Sequence, residues 1–289
     1  MIPQIRYGHR TDEKRPDGNI APDRTVPRTI PFGQRIWDLA ADGQELHAPV
    51  FSENQVVSDV TRAVIADERH MLRTRDTRVT GYEPLLSPAA LLDELPLDEV
   101  ATATVERSRA EVRGVLEGSD DRLLVIAGPC SAHDPGAALE YAGRLRAARE
   151  RHEADLLVVM RVYFEKPRTV TGWKGLINDP GMDGGHDVHR GLRTARRLLL
   201  DVVSLGLPVG CEWLDPITPQ YIADAVTWGA IGARTTESQV HRQLASGLSM
   251  PVGFKNGTDG DVQVAVDACR ASAAGHTFFG VTPTGWPRW

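Results

Sequence analysis

The chain has 289 residues, 41% hydrophobic and 25% charged, which is enough apolar material for one large domain or two modest ones. The formal net charge of −6 argues against a protein that binds nucleic acid through its overall charge. Three cysteines without a CxxC pair are typical of a reducing compartment. Because no stretch has the apolar length of a signal peptide or a membrane span, we expect a cytoplasmic protein without a membrane partner.

The first 120 residues divide into two predicted segments. Residues 1–75 are rich in proline and charge and are predicted to form a partly disordered arm, with a charged helix at 56–75. Residues 76–120 are predicted to form a helical extension. Ser87-Pro88 is a typical helix start, and Gly118 is placed to end a second helix.

From residue 121 onward, short apolar runs alternate with amphipathic helical patterns. The runs predict strands covered on both faces, at 123–128, 156–162, 208–214, 230–235, 251–257 and 276–282. The clearest helical face comprises Leu192, Ala195, Leu198, Leu199 and Val202. Further faces are predicted at Val240, Leu244 and Leu248, and at Val262, Ala265, Val266 and Cys269. Repeated βα units indicate a parallel sheet, either doubly wound or closed as a (β/α)8 barrel.

The position of the polar residues separates these two folds. They follow five successive predicted strands, at Gly128-Pro129-Cys130, Arg161, Glu212, Arg234 and Lys255. A doubly wound sheet concentrates its ligand at one switch point, whereas a barrel brings all its strand ends around one mouth. The pattern therefore favours an α/β fold of the TIM-barrel type. Only six strands are found where eight are needed, so residues 121–289 are predicted to form an incomplete barrel.

A cluster of positive charges is predicted at this mouth. The cations at or just beyond the strand ends are Arg161, Lys166, Arg168, Arg234 and Lys255. Five cations around one mouth would repel each other unless anions bind there, and arginine and lysine both bind phosphate. The alternative is that they are solvated loop residues, which is the better interpretation for any one of them alone. Together they predict a small ligand with several negative charges.

Six sequence blocks carry a family resemblance: GPCSAHDP (128–135), MRVYFEKPRT (160–169), GWKGLINDP (172–180), LDPITPQY (214–221), WGAIGARTTESQVHR (228–242) and PVGFKNGTDG (251–260). On these blocks the chain resembles the class I 3-deoxy-D-arabino-heptulosonate 7-phosphate (DAHP) synthases, from about Asp76 to Thr282. The resemblance implies a transferase that condenses phosphoenolpyruvate with erythrose 4-phosphate and releases phosphate. That reaction is the first step of the shikimate pathway to chorismate and the aromatic amino acids.

The resemblance also implies a role for each strand-end residue. It assigns phosphoenolpyruvate binding to Arg161, Lys166, Arg234 and Lys255. It assigns catalysis to Lys166, Glu212, Arg234 and Lys255. Arg168 and Thr169 would hold the phosphate of erythrose 4-phosphate, and Glu212 would position water near the reacting carbon. Cys130 matches one ligand of a divalent metal ion (Mn, Fe, Zn or Co) that polarises the aldehyde.

The remaining metal ligands of the family, a His, a Glu and an Asp, are expected beyond the last predicted strand. His276, which opens that strand, is not placed to replace one of them. The resemblance therefore predicts a C-terminally truncated chain, through a frameshift or an early stop, without detectable activity. The alternative is a catalytically inactive fragment or regulatory subunit that binds phosphorylated metabolites or an aromatic amino acid.

The resemblance further implies an aromatic amino acid effector site and a homo-oligomer. The residues expected to line the effector cavity are Pro219, Gln220, Leu244, Leu248, Ser249 and Phe278. Gly280 leaves room for a phenolic hydroxyl, for which Gln220 or Ser249 could be the partner, so tyrosine is expected to bind better than phenylalanine. For the apolar members of the set, ordinary packing is the stronger interpretation.

Overall fold

The computed structural model describes residues 2–3 and 76–288. Apart from positions 2–3, the predicted N-terminal arm with its helix at 56–75 lies outside these described residues. The chain divides into two compact units, Met1–Pro3 with Leu85–Trp289, and Gln4–Pro84. Of the second unit, residues 76–84 are described. They include a turn in which the Val79 amide donates to the Asp76 carbonyl (3.0 Å).

The predicted helical extension is present. The elements before the main sheet are β1 (Ile2–Pro3), β2 (Pro84–Leu85), α1 (Pro88–Glu94) and α2 (Glu99–Glu117). Ser87 caps α1 by accepting a hydrogen bond from the Ala90 amide at 3.3 Å. Gly118 ends α2 with a φ of 76°, in the left-handed region that glycine adopts without strain. Both predicted helix boundaries are therefore confirmed.

A curved parallel sheet of five strands organises the larger unit. Its strands are β3 (Leu123–Ala127), β4 (Leu156–Arg161), β5 (Val209–Glu212), β6 (Trp228–Ile231) and β7 (Val252–Phe254). The helices that follow them are α3 (Pro135–Arg151), α4 (Val188–Ser204), α5 (Pro219–Ile222) with a 3-10 turn at Ala223–Ala225, α6 (Gln239–Ser246) and α7 (Gln263–Ser272). The spatial order of the strands equals their chain order, without the reversal of a doubly wound sheet. This confirms the barrel-type α/β fold, as a half-barrel.

The outer strands of the sheet are less buried than the central ones. Strands β4, β5 and β6 are largely buried, whereas β3 and β7 are half-buried. Among the described residues, β3 and β7 each pair with one strand only, so one edge of each is open. The prediction of strands covered on both faces therefore applies to the central three.

The sixth predicted strand is wrong in extent and in pairing. Within 276–282 only Gly280–Val281 (β8) is extended, and it pairs antiparallel with Pro287–Arg288 (β9) instead of extending the parallel sheet. His276 thus opens no strand, and its Nε2 lies 2.8 Å from the Ala271 carbonyl oxygen. The reason is that a short apolar run favours a strand but does not specify its partner.

The predicted apolar helix faces agree with the observed burial for α4, and only in part for α6 and α7. The predicted face of α4 is confirmed, since all five of its residues are buried. The faces predicted for α6 and α7 are partly wrong, because Val240, Val262, Val266 and Cys269 are exposed while His241 and Ala268 are buried. Helix α7 packs against the outer strand β7 and against α6, at the end of the sheet where a narrower stripe of each helix is covered. None of the helices in the described part is long and apolar enough to cross a membrane.

Candidate active site

The polar residues singled out in the sequence lie at the carboxyl ends of the five parallel strands. Cys130 follows β3, Arg161 ends β4, Glu212 ends β5 and Lys255 follows β7. The strand predicted at 230–235 starts and ends earlier, so Arg234 lies in the turn after β6. Since parallel strands present their carboxyl ends on one side, these residues form a single mouth.

Two of the predicted cations meet at Cys130. The Lys166 Nζ donates to the Cys130 carbonyl oxygen at 2.7 Å and lies 3.3 Å from its Sγ. The Arg161 Nη2 donates to the same carbonyl oxygen at 3.4 Å. The hydrogen bond from Lys166 lowers the pKa of the exposed Cys130 thiol below its usual range. This corner of the mouth is therefore positively charged and favours a thiolate.

Tyr163 forms a platform beneath two cations. The Arg161 Cζ lies 4.1 Å from the centroid of the Tyr163 ring, and the Lys255 Nζ lies 5.3 Å from it, both within cation–π range. Burial raises the pKa of the Tyr163 phenol to about 12, so the ring stays neutral at physiological pH. The Lys255 Nζ also pairs with Oε2 of the buried Glu212 at 3.2 Å. The Arg161 Nε is buried and has no hydrogen-bond acceptor within the described residues.

A second group of side chains lies in the loop after β4 and in the turn after β6. The Arg234 Nη2 donates to the Thr169 Oγ1 at 3.2 Å, which joins the two segments. The Arg168 Nε donates to the Trp173 carbonyl oxygen at 2.7 Å. Arg168, Thr169 and Arg234 are exposed. Arg234 thus contacts Thr169, which the family resemblance assigns to erythrose 4-phosphate, although the resemblance assigns Arg234 itself to phosphoenolpyruvate.

Comparison with known proteins identifies the family. The sequence profile of the "DAHP synthetase I family" matches residues 99–285, which include every strand-end residue described above. The chain belongs to this family. It is 60% identical over 210 residues to the "Phospho-2-dehydro-3-deoxyheptonate aldolase, Phe-sensitive" of Escherichia coli K12, covering 73% of this chain and 60% of that protein. It is 58% identical over 212 residues to the "Phospho-2-dehydro-3-deoxyheptonate aldolase" of Corynebacterium glutamicum, covering 73% and 58%.

A solved structure of the same family supports the fold. The phospho-2-dehydro-3-deoxyheptonate aldolase of Francisella tularensis is similar with a TM-score of 0.72 and 51% identity, over 73% of this chain and 62% of that chain. The chain thus spans about 60% of the length of the DAHP synthetase I family proteins to which it is compared.

The metal ion that the family requires finds one candidate ligand here, Cys130. Within the described residues, no three His, Cys, Asp or Glu side chains come together where they could hold a metal ion. The side chains that hydrogen-bond to Cys130 are cations, Lys166 and Arg161, which do not bind metals in their charged forms. The described residues therefore do not fit a complete metal site of this family.

A cavity beside α5 contains part of the predicted effector site. A cavity of about 550 Å³ is lined by Pro219, Gln220, Leu248 and Ser249 together with Leu97, Thr102, Val105, Glu106, Arg109, Ala223, Asp224 and Gly247. Leu244, Phe278 and Gly280 are not among its lining residues, although the Phe278 ring lies close to Gly247. The structure thus brings four of the seven predicted residues to one cavity.

Sequence analysis missed three polar residues behind the mouth: Tyr163, Glu165 and His241. Tyr163 and Glu165 alternate with Arg161, and a period of two at a strand end places side chains on one face. That spacing was the available signal for them. His241 is part of a quoted block but was given no role, and its position three residues before Leu244 on α6 was the available signal for it.

Proposed function

We propose that this chain is a DAHP synthase by descent, and that its mouth binds phosphoenolpyruvate next to erythrose 4-phosphate. The observation that carries this proposal is the group of Arg161, Lys166 and Lys255. Arg161 and Lys255 lie over the Tyr163 ring, and Lys166 shares the Cys130 carbonyl oxygen with Arg161. Three cations this close together repel each other, and with Glu212 pairing only with Lys255 among the described residues, an anionic ligand would offset the remaining repulsion. The unpaired buried Nε of Arg161 is a further donor for such a ligand.

The proposed reaction joins C3 of phosphoenolpyruvate to the aldehyde carbon of erythrose 4-phosphate. Water adds at C2 of phosphoenolpyruvate, and inorganic phosphate leaves. Arg161, Lys166 and Lys255 would neutralise the phosphate and carboxylate and so hold C3 in place. Glu212, held by Lys255 at 3.2 Å, would orient the water. Cys130 would be one ligand of the family's divalent metal ion, which would supply a Lewis acid for the aldehyde, but the described residues do not complete that site.

The two substrates would occupy adjacent parts of the mouth. Arg168 and Thr169 lie in the loop after β4, and the contact between Thr169 and Arg234 closes that loop over the turn after β6. We infer that Arg234 binds phosphoenolpyruvate and that Thr169, which it contacts, binds the erythrose phosphate. The 3.2 Å contact supports this because it brings the two proposed binding positions next to each other.

Calorimetry with phosphoenolpyruvate tests the proposal on the 289-residue chain. Arg234→Ala should weaken binding by about tenfold or more, because one charge-assisted hydrogen bond contributes ~1.5–3 kcal/mol. Arg144→Ala is the matched control, since Arg144 is an exposed arginine on α3 that pairs with Glu140. Equal affinities for phosphoenolpyruvate and for inorganic phosphate, or an Arg234→Ala variant that binds like Arg144→Ala, would contradict the assignment.

We also propose that the cavity beside α5 binds an aromatic amino acid. The lining of this cavity is mixed. It contains polar side chains (Gln220, Ser249), apolar side chains (Leu248, Val105) and charged side chains of both signs (Arg109, Glu106, Asp224). This mixture suits a zwitterion with a ring. The printed name of the Escherichia coli relative, Phe-sensitive, supports an effector of this class. We also propose the homo-oligomer that the family resemblance implies.

A further inference from the structure

A buried carboxyl group ties two loops of the mouth together. Glu165 is almost completely buried, and its two oxygens accept hydrogen bonds from the loop after β5. The Leu214 amide donates to Oε2 at 3.3 Å, and the Asp215 amide donates to Oε1 at 3.2 Å. The Thr218 hydroxyl lies 3.3 Å from the same Oε1. Burial raises the pKa of this carboxyl group to about 8, so its place there has an electrostatic cost.

A buried histidine ties the same loop to a third segment. The His241 Nε2 lies 2.8 Å from the Leu214 carbonyl oxygen, which can only accept, so Nε2 carries the proton. In the neutral ring Nδ1 then accepts from the Ser238 hydroxyl at 2.8 Å. The Leu214–Asp215 peptide unit is therefore held on both sides, by Glu165 at the Asp215 amide and by His241 at the Leu214 carbonyl group.

These contacts connect the segments that carry the substrate cations. Glu165 precedes Lys166 and begins the loop that also carries Arg168 and Thr169. The base of this loop is an antiparallel bridge between Glu165 and Gly175, in which the Lys166 amide donates to the Lys174 carbonyl (2.8 Å). Leu214 lies two residues after Glu212, and His241 is on the helix after the Arg234 turn. Neither Glu165 nor His241 is among the residues proposed to bind substrate.

We propose that Glu165 and His241 are positioning residues that hold the Leu214–Asp215 peptide unit in place. This peptide unit would then support the loop after β4 and the turn after β6, which carry the proposed substrate cations. Through Leu214, they place the loop of Lys166 and Arg168 relative to Glu212 and to the Arg234 turn. The expected effect on substrate binding rests on the proposed function. The support itself is defined by the four backbone and side-chain contacts of Leu214, Asp215 and Ser238 described above.

Amide hydrogen exchange on the 289-residue chain tests the support without any substrate. Glu165→Gln keeps one acceptor oxygen and replaces the other with an NH2 group, which cannot accept a hydrogen bond from a backbone N–H. One of the two backbone hydrogen bonds is therefore lost, whether the glutamic acid of the parent chain is protonated or ionised. Exchange in residues 165–175 should become about tenfold faster, as expected when roughly one hydrogen bond of ~1.4 kcal/mol is lost. His241→Leu should accelerate exchange in the same segment, although the hydrogen bonds of His241 go to Leu214 and Ser238.

Two further variants serve as controls in the same exchange measurement. His241→Gln can still donate to the Leu214 carbonyl from a side-chain amide, and it should restore slow exchange. Ser108→Ala removes a buried hydrogen bond to Thr227 (2.7 Å), which precedes β6 at the amino end of that strand. It should leave residues 165–175 unchanged. The support is refuted if His241→Leu and Ser108→Ala exchange alike in this segment.

Calorimetry with phosphoenolpyruvate measures the consequence for the site. Glu165→Gln and His241→Leu should each weaken binding about tenfold relative to Ser108→Ala. A purely structural role would weaken all three alike in proportion to their loss of melting temperature. If the parent chain does not bind phosphoenolpyruvate, the proposed function fails, and the exchange measurement still decides the support. If it binds and all three variants match it, the positioning role is wrong.

Discussion

Arg196 is the clearest test of how the larger unit is held together. Its side chain on α4 is 0% exposed and makes four hydrogen bonds. Its Nε donates to the Leu95 carbonyl oxygen at 2.6 Å, and its Nη1 donates to the Tyr221 carbonyl oxygen at 3.0 Å. Its two terminal nitrogens also donate to both carboxylate oxygens of Asp224, at 2.7 and 2.8 Å. One guanidinium group therefore joins the end of α1 to the α5 segment.

Arg196→Met should lower the free energy of unfolding by roughly 3 kcal/mol. Removing one partner of a buried ion pair costs ~3–5 kcal/mol, because the other charge and its carbonyl neighbours lose their donors. We expect the lower end of this range, since the Asp224 side chain is 35% exposed and water can solvate it in the variant. Methionine fills much of the same volume, so the cavity contribution is small.

Urea unfolding followed by circular dichroism measures this loss, with Arg197→Met as the matched control. Arg197 is the next residue on α4 and is exposed, so its replacement should cost less than about 0.5 kcal/mol. Asp224→Asn in both backgrounds completes a double-mutant cycle and should show coupling of at least ~1 kcal/mol. A loss below about 1 kcal/mol for Arg196→Met would refute the reasoning.

Four further outcomes are expected. Because the pKa of Glu165 rises from 4.5 to about 8 on folding, unfolding releases its proton between these values. The melting temperature should therefore fall as pH rises through this range, less steeply in Glu165→Gln. Gly175→Ala should cost more than about 1 kcal/mol in urea unfolding, because φ is 119° and a Cβ would overlap the Phe164 carbonyl. Tyrosine should raise the melting temperature more than phenylalanine, and the reverse order would contradict the predicted hydroxyl partners Gln220 and Ser249. Phosphate release by the 289-residue chain with added manganese or zinc should be undetectable, since no three potential metal ligands come together among the described residues; a robust rate would show that the metal site was misread.

The interpretation of the strand ends depended on information that lies close together in the chain. Each βα unit shows its own apolar run and its own polar residue at the run's end, so five strands and their order could be predicted. The six motif blocks are likewise continuous in sequence, and they were sufficient to predict the family. The domain boundaries and the roles of individual site residues stay predictions.

The sequence by itself was sufficient to predict the βα units, the family and the cations at the strand ends. Each βα unit, each motif block and each strand-end cation can be recognised from residues that are close together in the chain. Only the tertiary structure decided that β8 pairs with β9, that Arg196 is buried, and that Glu165 and His241 meet at Leu214. Each of these depends on a partner from another segment of the chain. A buried polar side chain is stable only where a partner forms hydrogen bonds with it. The local hydrophobic pattern of the sequence does not show which distant residue that partner is.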